Sequence, residues 1–219
     1  MQITVTDYLD VVSSWCFWSE PTWAELKKRY DGRVGFHWKI ALMDPNGLPT
    51  SRELEQWFYR RSGMMMRSPF MLNTDWYDPG LPEWIAPNCV AEAAKDFGFI
   101  DDRVRLALSH AALREGKKVS DWEVATEIGA AAGKIDRKKL LERAKSAEIE
   151  KRVRTSTTEF HTLQVTQRPA FVIDTEIGDR AVFSGVVKLA PLTATLDSMI
   201  DDATAYAAHK AHFGDPPAK

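Results

Sequence analysis

Ser13-Ser14-Trp15-Cys16 brings two hydroxyls and a thiol within one helical turn of each other. An apolar strand pattern runs into this tetrapeptide and a helix pattern runs out of it. A strand that delivers a small hydroxyl residue to a helix start sets it beside backbone N–H groups that lack intrahelical partners, a place for an anion or a thiolate. Ser13 or Ser14 can cap that helix, and Cys16 falls one turn in. Disulfide exchange needs an attacking thiolate and usually a second thiol to resolve the mixed disulfide. Ser13 cannot attack a disulfide. Monothiol chemistry at Cys16 stays open only if its sulfur is reachable, since a buried cysteine is inert. Cys89, between a proline-rich loop and a helix, reads as structural and unpaired with Cys16.

The elements around this stretch read as follows. Residues 3–11 alternate as a strand, with Ile3, Val5, Leu9 and Val11 apolar and Thr4, Thr6, Tyr8 and Asp10 between them. Glu20-Pro21 predicts a kink or a restart of the first helix, because proline removes a donor and crowds the preceding turn. Trp23, Leu26 and Tyr30 share a face of the restarted segment, which Asp31-Gly32 ends. Strand two, 34–42, puts Val34, Phe36, Trp38, Ile40 and Leu42 on one side. A turn is expected at Asp44-Pro45-Asn46-Gly47. Ser51 then starts a helix on which Leu54, Trp57, Phe58 and Arg61 recur at helical spacing.

Met64-Met65-Met66 and the Pro- and Trp-rich run 69–87 read as an irregular surface segment. Further helices are predicted from an Asn88 cap to Phe97, over 101–115, from a capping box at Ser120 to Ala132, and over 136–146 and 147–163. Two strands, 170–174 and 180–185, are joined by a short hairpin loop, and a last helix spans 189–209. The tail from Gly214 to Lys219 is expected to fray.

The 219 residues suit one domain with an insertion, and a net charge of −2 gives no case for nucleic acid. No stretch reaches membrane-spanning length, no leader is visible, and two cysteines do not make a disulfide scaffold. A soluble cytoplasmic protein is expected, with no membrane partner. His209 and His212 with Asp215 make only a weak metal-like cluster, so no metal is expected.

The tetrapeptide resembles the active-site motif of the DsbA-like and kappa-class glutathione transferase branch of the thioredoxin superfamily, which carries C-P-W-C or S-P-Y-S type sequences after the first strand. Serine here stands where the redox members have their attacking cysteine. The run Glu115 to Asp121 and the segment Val165-Thr166-Gln167-Arg168-Pro169-Ala170-Phe171-Val172-Ile173 are similar to the same family, which includes 2-hydroxychromene-2-carboxylate isomerases. The chain is thereby identified as an α/β protein, a thioredoxin fold with a large helical insertion between the βαβ and ββα halves. Residues 1–45 and 160–213 would form the thioredoxin-like core and 46–159 the helical insertion domain. The resemblance implies that Pro169 is cis and lies beside the active-site helix. It makes Ser13 and Cys16 the catalytic candidates, and Ser14, Trp15, Arg168 and Pro169 the binding candidates for substrate or glutathione. Arg168 at the site's edge would suit a carboxylate.

The expected function is a thiol- or glutathione-dependent transferase or isomerase acting on a small apolar or aromatic molecule, with glutathione as the implied cofactor. Ser14, where the family commonly has proline, and Cys16, where the serine members lack cysteine, depart from the pattern. A monothiol oxidoreductase using Cys16 and a non-catalytic peptide-binding member remain the alternatives. A homodimer is left open. Trp15, Phe17, Trp18, Trp57, Phe58, Phe70 and Trp76 are available to wall a pocket or a core, and Met64 to Met66 are expected in the pocket wall.

Overall fold

A computed structural model describes residues 3–44, 48–185 and 188–215. Pro45 to Gly47 of the expected turn and Pro216 to Lys219 of the tail lie outside the described residues. The first half is β1 (Ile3–Leu9), α1 (Ser14–Arg29) and β2 (Gly35–Ile40). Helices α2 (Arg52–Met65), α3 (Ile85–Ala94), α4 (Arg103–Leu113), α5 (Trp122–Gly133), α6 (Arg137–Ala144) and α7 (Ala147–Thr162) follow. The chain returns through β3 (Ala170–Thr175), β4 (Arg180–Ser184) and α8 (Leu189–Phe213). The four strands lie in the order β2-β1-β3-β4, with β1 and β2 parallel and the other pairs antiparallel. This is the expected thioredoxin arrangement with helices inserted between its halves.

β1 lies between β2 and β3, so both its edges are paired. Ile3, Val5, Trp23, Leu26, Tyr30, Phe171 and Ile173 form one core with Leu192, Leu196 and Met199 of α8. A second core joins Leu9, Cys16 and Ile40 to α3, α4, α5 and α7 through Val90, Leu108, Ala125 and Val153.

Several local expectations need correction. Pro21 does not interrupt α1, which runs unbroken from Ser14 to Arg29. Pro21 is exposed, so water can replace the missing donor, while buried Trp23 and Leu26 hold the helix down. On α2 the buried positions are Glu55, Tyr59, Ser62 and Gly63, whereas Leu54 and Trp57 are exposed. Residues 69–84 are irregular but far from superficial: Leu72, Trp76, Tyr77 and Trp84 are buried in a third core with Tyr59 and Leu113. Asn88 lies inside α3 rather than capping it, and Asp121, not Ser120, caps α5 by accepting from the N–H groups of Glu123 and Val124.

A buried charge network fastens α1 to α4. The Arg105 guanidinium donates to Glu20 and, at 2.9 Å, to Asp102, which also accepts from Trp23 Nε1 at 3.2 Å and from Lys27. The Arg105 side chain is 2% exposed. Arg105→Ala would leave Glu20 without its cation and Asp102 with Lys27 alone, in a poorly hydrated seam. Removing one partner of a buried pair costs roughly 3–5 kcal/mol, and urea unfolding should show a loss of that size. A loss below about 1 kcal/mol would mean the network is solvated and adds little.

Candidate active site

The turn from β1 into α1 is held by side chains whose role depends on tertiary contacts. Asp10 is buried and spreads its carboxylate over two amides, accepting from Val12 N–H and Met43 N–H at 3.0 Å each. Burial raises its pKa, and those N–H groups oppose the rise. Asn88 Oδ1 accepts from Val11 N–H at 3.0 Å, and its amide donates to Trp84 O at 3.2 Å. Ser13 N–H closes the turn on Asp10 O at 3.1 Å. Ser13 is thus delivered to the N-cap position of α1, where its Oγ accepts from Cys16 N–H at 3.4 Å.

The next two amides, of Ser14 and Trp15, are helix-start donors without intrahelical acceptors. Ser13, Ser14 and Trp15 line a cleft of about 290 Å³. Its other walls are Met43, Asp44, Glu55, Phe58, Arg61 and Trp84, closed by Thr166, Gln167 and Arg168. The Arg168–Pro169 bond is cis, as expected. One cleft therefore joins the helix start to the segment preceding β3.

The comparisons with known proteins concern this same architecture. The description of the DSBA-like thioredoxin domain matches residues 4–197. The chain belongs to that family. Among solved structures, a putative protein disulfide isomerase from Nitrosomonas europaea is 16% identical, with a TM-score of 0.73 over 92% of this chain and 99% of that one. The cytosolic disulfide reductase DsbM from Pseudomonas aeruginosa is 17% identical, with a TM-score of 0.67 over 95% and 98%, and has also been solved with GSH. A 2-hydroxychromene-2-carboxylate isomerase is 14% identical, with a TM-score of 0.61 over 93% and 98%. No curated protein matches the chain.

Within this DSBA-like fold Cys16 is 4% exposed and does not line the cleft. Burial, reinforced by the nearby Asp7 carboxyl, pushes its thiol far above the ordinary cysteine range. Cys89 is also buried, and both cysteines are free thiols.

Arg168 lines the cleft, but its side chain does not reach out for a ligand carboxylate. The guanidinium donates to Ala41 O at 2.6 Å, to Leu42 O and to Thr166 O, and lies over the Phe160 ring. The carbonyls just beyond β2 lie within its reach and hold the charge. Trp15 and Phe58 wall the cleft. Phe17, Trp18, Phe70 and Trp76 pack in the third core, and Trp57 is exposed. Met64, Met65 and Met66 do not line the cleft; Met64 and Met65 project outward at the end of α2.

Two site-proximal groups went unnoticed in the sequence. Glu55 is 6% exposed and forms part of the cleft wall. Asp7, behind Cys16 on β1, is 1% exposed, and its Oδ1 has no hydrogen-bond partner among the described residues. Asp7 shares the strand phase of Ile3, Val5 and Leu9, and an acid in phase with apolar positions was the available signal.

A larger, more open cleft of about 530 Å³ lies beyond β2, between Trp38, Lys95, Arg152 and Glu159. Several of its charges are paired within it, Lys39 with Glu159 and Lys95 with Glu92, and Ser156 Oγ donates to Ile40 O. The helix start is the better candidate, because there a hydroxyl and open amides converge.

Proposed function

We propose that the protein is a thiol-dependent enzyme that seats glutathione, or a similar small thiol, with its sulfur at the N-terminus of α1. The observation that carries this reading is Ser13 at the N-cap, opening on the cleft, while the chain's own Cys16 is sealed behind it. Ser13 Oγ accepts from Cys16 N–H, and its O–H, which also reaches the Cys16 thiol, can turn to donate to a sulfur in the cleft. The Ser14 and Trp15 amides add the positive end of the helix. Together they favour the thiolate over the thiol, as the surroundings of low-pKa cysteines do.

The bound thiol supplies the nucleophile, and the chain supplies its ionisation and its aim. Trp15, Phe58 and Trp84 offer flat apolar walls to an aromatic or conjugated electrophile, as a transferase or isomerase needs. The family and the fold shared with a reductase solved with GSH and with an isomerase support this reading. We place the protein in the cytoplasm, where glutathione is reduced. The burial of Cys16 speaks against monothiol catalysis by the chain itself. A peptide-binding member without turnover would bind extended peptides and leave model electrophiles unchanged.

Calorimetry with glutathione tests the reading. Saturable binding is expected in the unmodified protein, weakened in Ser13→Ala by about tenfold to a hundredfold, the worth of one hydrogen bond to a charged group. No binding at millimolar concentration would overturn the thiol-site reading, and equal binding by the variant would remove Ser13 from the role.

A further inference from the structure

We infer that Glu55 is the proton carrier of this cleft, taking the proton from the thiol that docks at Ser13 and returning it to the product. The inference rests on the thiol-site reading above. Glu55 is nine-tenths buried, yet it is one of the residues facing the same cleft of about 290 Å³ as Ser13, Ser14 and Trp15. It sits in the first turn of α2, a helix held there by the Ser51 cap.

The surroundings of Glu55 favour a carboxyl that changes protonation state. The Tyr59 hydroxyl, one turn along α2, interacts with it, and Tyr59 in turn accepts from buried Trp76 Nε1 at 2.9 Å. Tyr77, from the segment packed against α2, feels the Glu55 charge. Asp44, Arg61 and Arg168 also line the cleft, Arg61 from α2 itself. Arg168 is committed to the β2 carbonyls, and Arg61 lies over the Trp15, Trp57 and Phe58 rings. Neither guanidinium forms an ion pair with Glu55 among the described residues. Burial without a paired cation raises the Glu55 carboxyl to about 7, which suits a group that must both accept and donate near neutrality.

The step balances as follows. A Glu55 carboxylate oxygen takes the thiol proton as the S–H bond breaks, and the electron pair stays on sulfur. That pair forms the C–S bond to the electrophilic carbon of a conjugated carbonyl compound, whose double-bond electrons move toward the carbonyl oxygen. Glu55 then delivers its proton to the carbon or oxygen that has gained the charge, which restores the carboxylate. Nothing is oxidised or reduced. Protonated Glu55 also removes a negative charge from beside the new thiolate, so one transfer meets two needs.

Calorimetry of glutathione binding in buffers of different ionisation enthalpy, paired with ultraviolet absorbance of the bound thiolate, tests this at about pH 8. In the unmodified protein thiolate should form with almost no proton released, because the negative sulfur raises the Glu55 carboxyl above its resting value of about 7 and Glu55 holds the proton. Glu55→Gln should either release about one proton per thiolate formed or leave the bound thiol un-ionised. Near pH 6, where Glu55 is already protonated, any thiolate formed in the unmodified protein should release about one proton. Thiolate formed at about pH 8 with a full proton released by the unmodified protein would overturn the Glu55 assignment and leave the thiol site standing. So would unchanged behaviour in Glu55→Gln. Bound but un-ionised thiol in the unmodified protein would also overturn it. Failure of glutathione to bind would overturn the assignment together with the reading beneath it. The profile of the unmodified protein decides the matter even if the variant does not fold.

Discussion

Ser13→Cys is expected to convert the protein into a dithiol–disulfide exchanger. The new sulfur would stand at the α1 N-cap, facing the cleft, with the Ser14 and Trp15 amides directed at it. Helix-start amides lower a thiol's pKa and raise its thiolate fraction at neutral pH. Cys16 lies one turn in, buried, its pKa held high by desolvation and by Asp7. That is the character of a resolving thiol: unreactive until a mixed disulfide forms next to it, and a poor target for outside reagents. The unmodified protein has the second half of this device without the first. It should reduce insulin or oxidise reduced peptides at background rates, and Ser13→Cys should exceed it by at least about a hundredfold. Rapid dithiol exchange by the unmodified protein would refute the reading of Ser13 as a thiol-binding hydroxyl. An inert variant in which all three thiols titrate once unfolded would show that the Cys16 sulfur is out of reach of residue 13.

The sequence made the fold legible because the information was periodic and local. The alternation of Val34, Phe36, Trp38, Ile40 and Leu42 marks a strand whatever surrounds it, and Ser51 and Ser146 cap α2 and α7 by accepting from amides three residues on. The geometry of the candidate site was legible where a short motif carried it: Ser13 at the N-cap, Pro169 cis, and one cleft joining their neighbourhoods.

What stayed hidden was the fate of charged side chains, which long-range packing decides. Arg168 reads as a cation at the site's edge until β2 places the Ala41 and Leu42 carbonyls beside it. Glu55 reads as an acid in a helix's first turn, where exposure is usual. It is buried because the aromatic run around Trp76 and Tyr77, itself taken for a surface loop, packs over that face of α2. A helix with Leu54, Trp57 and Phe58 on one side seems to declare its buried face. The face that packs carries Tyr59, which enters the third core, and Ser62, which meets α1 where Trp18 Nε1 donates to its Oγ at 3.1 Å.

Asp7 should make stability depend on pH in the direction opposite to that of a salt-bridged carboxylate. Burial raises its carboxyl from 3.8 to about 8, Arg105 opposes the rise and Glu20 adds to it. Below about pH 4 the folded and unfolded chains both hold the proton, so Asp7 contributes no pH dependence. Between about pH 4 and pH 8 the unfolded chain releases it while the folded protein retains it, and stability falls as pH rises. Above about pH 8 the folded group ionises too and the decline from this group stops. One proton corresponds to roughly 1.4 kcal/mol per pH unit, so Asp7→Asn should outgain the unmodified protein by up to ~5 kcal/mol at about pH 8 and by little near pH 4. Relaxation around the ionised carboxylate and its attraction to Arg105 make that figure an upper limit. Asparagine suits the comparison because it keeps the size of the side chain, and the unpartnered Oδ1 leaves no hydrogen bond to lose on that atom. Urea unfolding of both proteins across this range measures the difference directly. A gap that stays constant with pH would mean that Asp7 is ionised in the fold and paired with Arg105, and Cys16 would then sit beside a true negative charge.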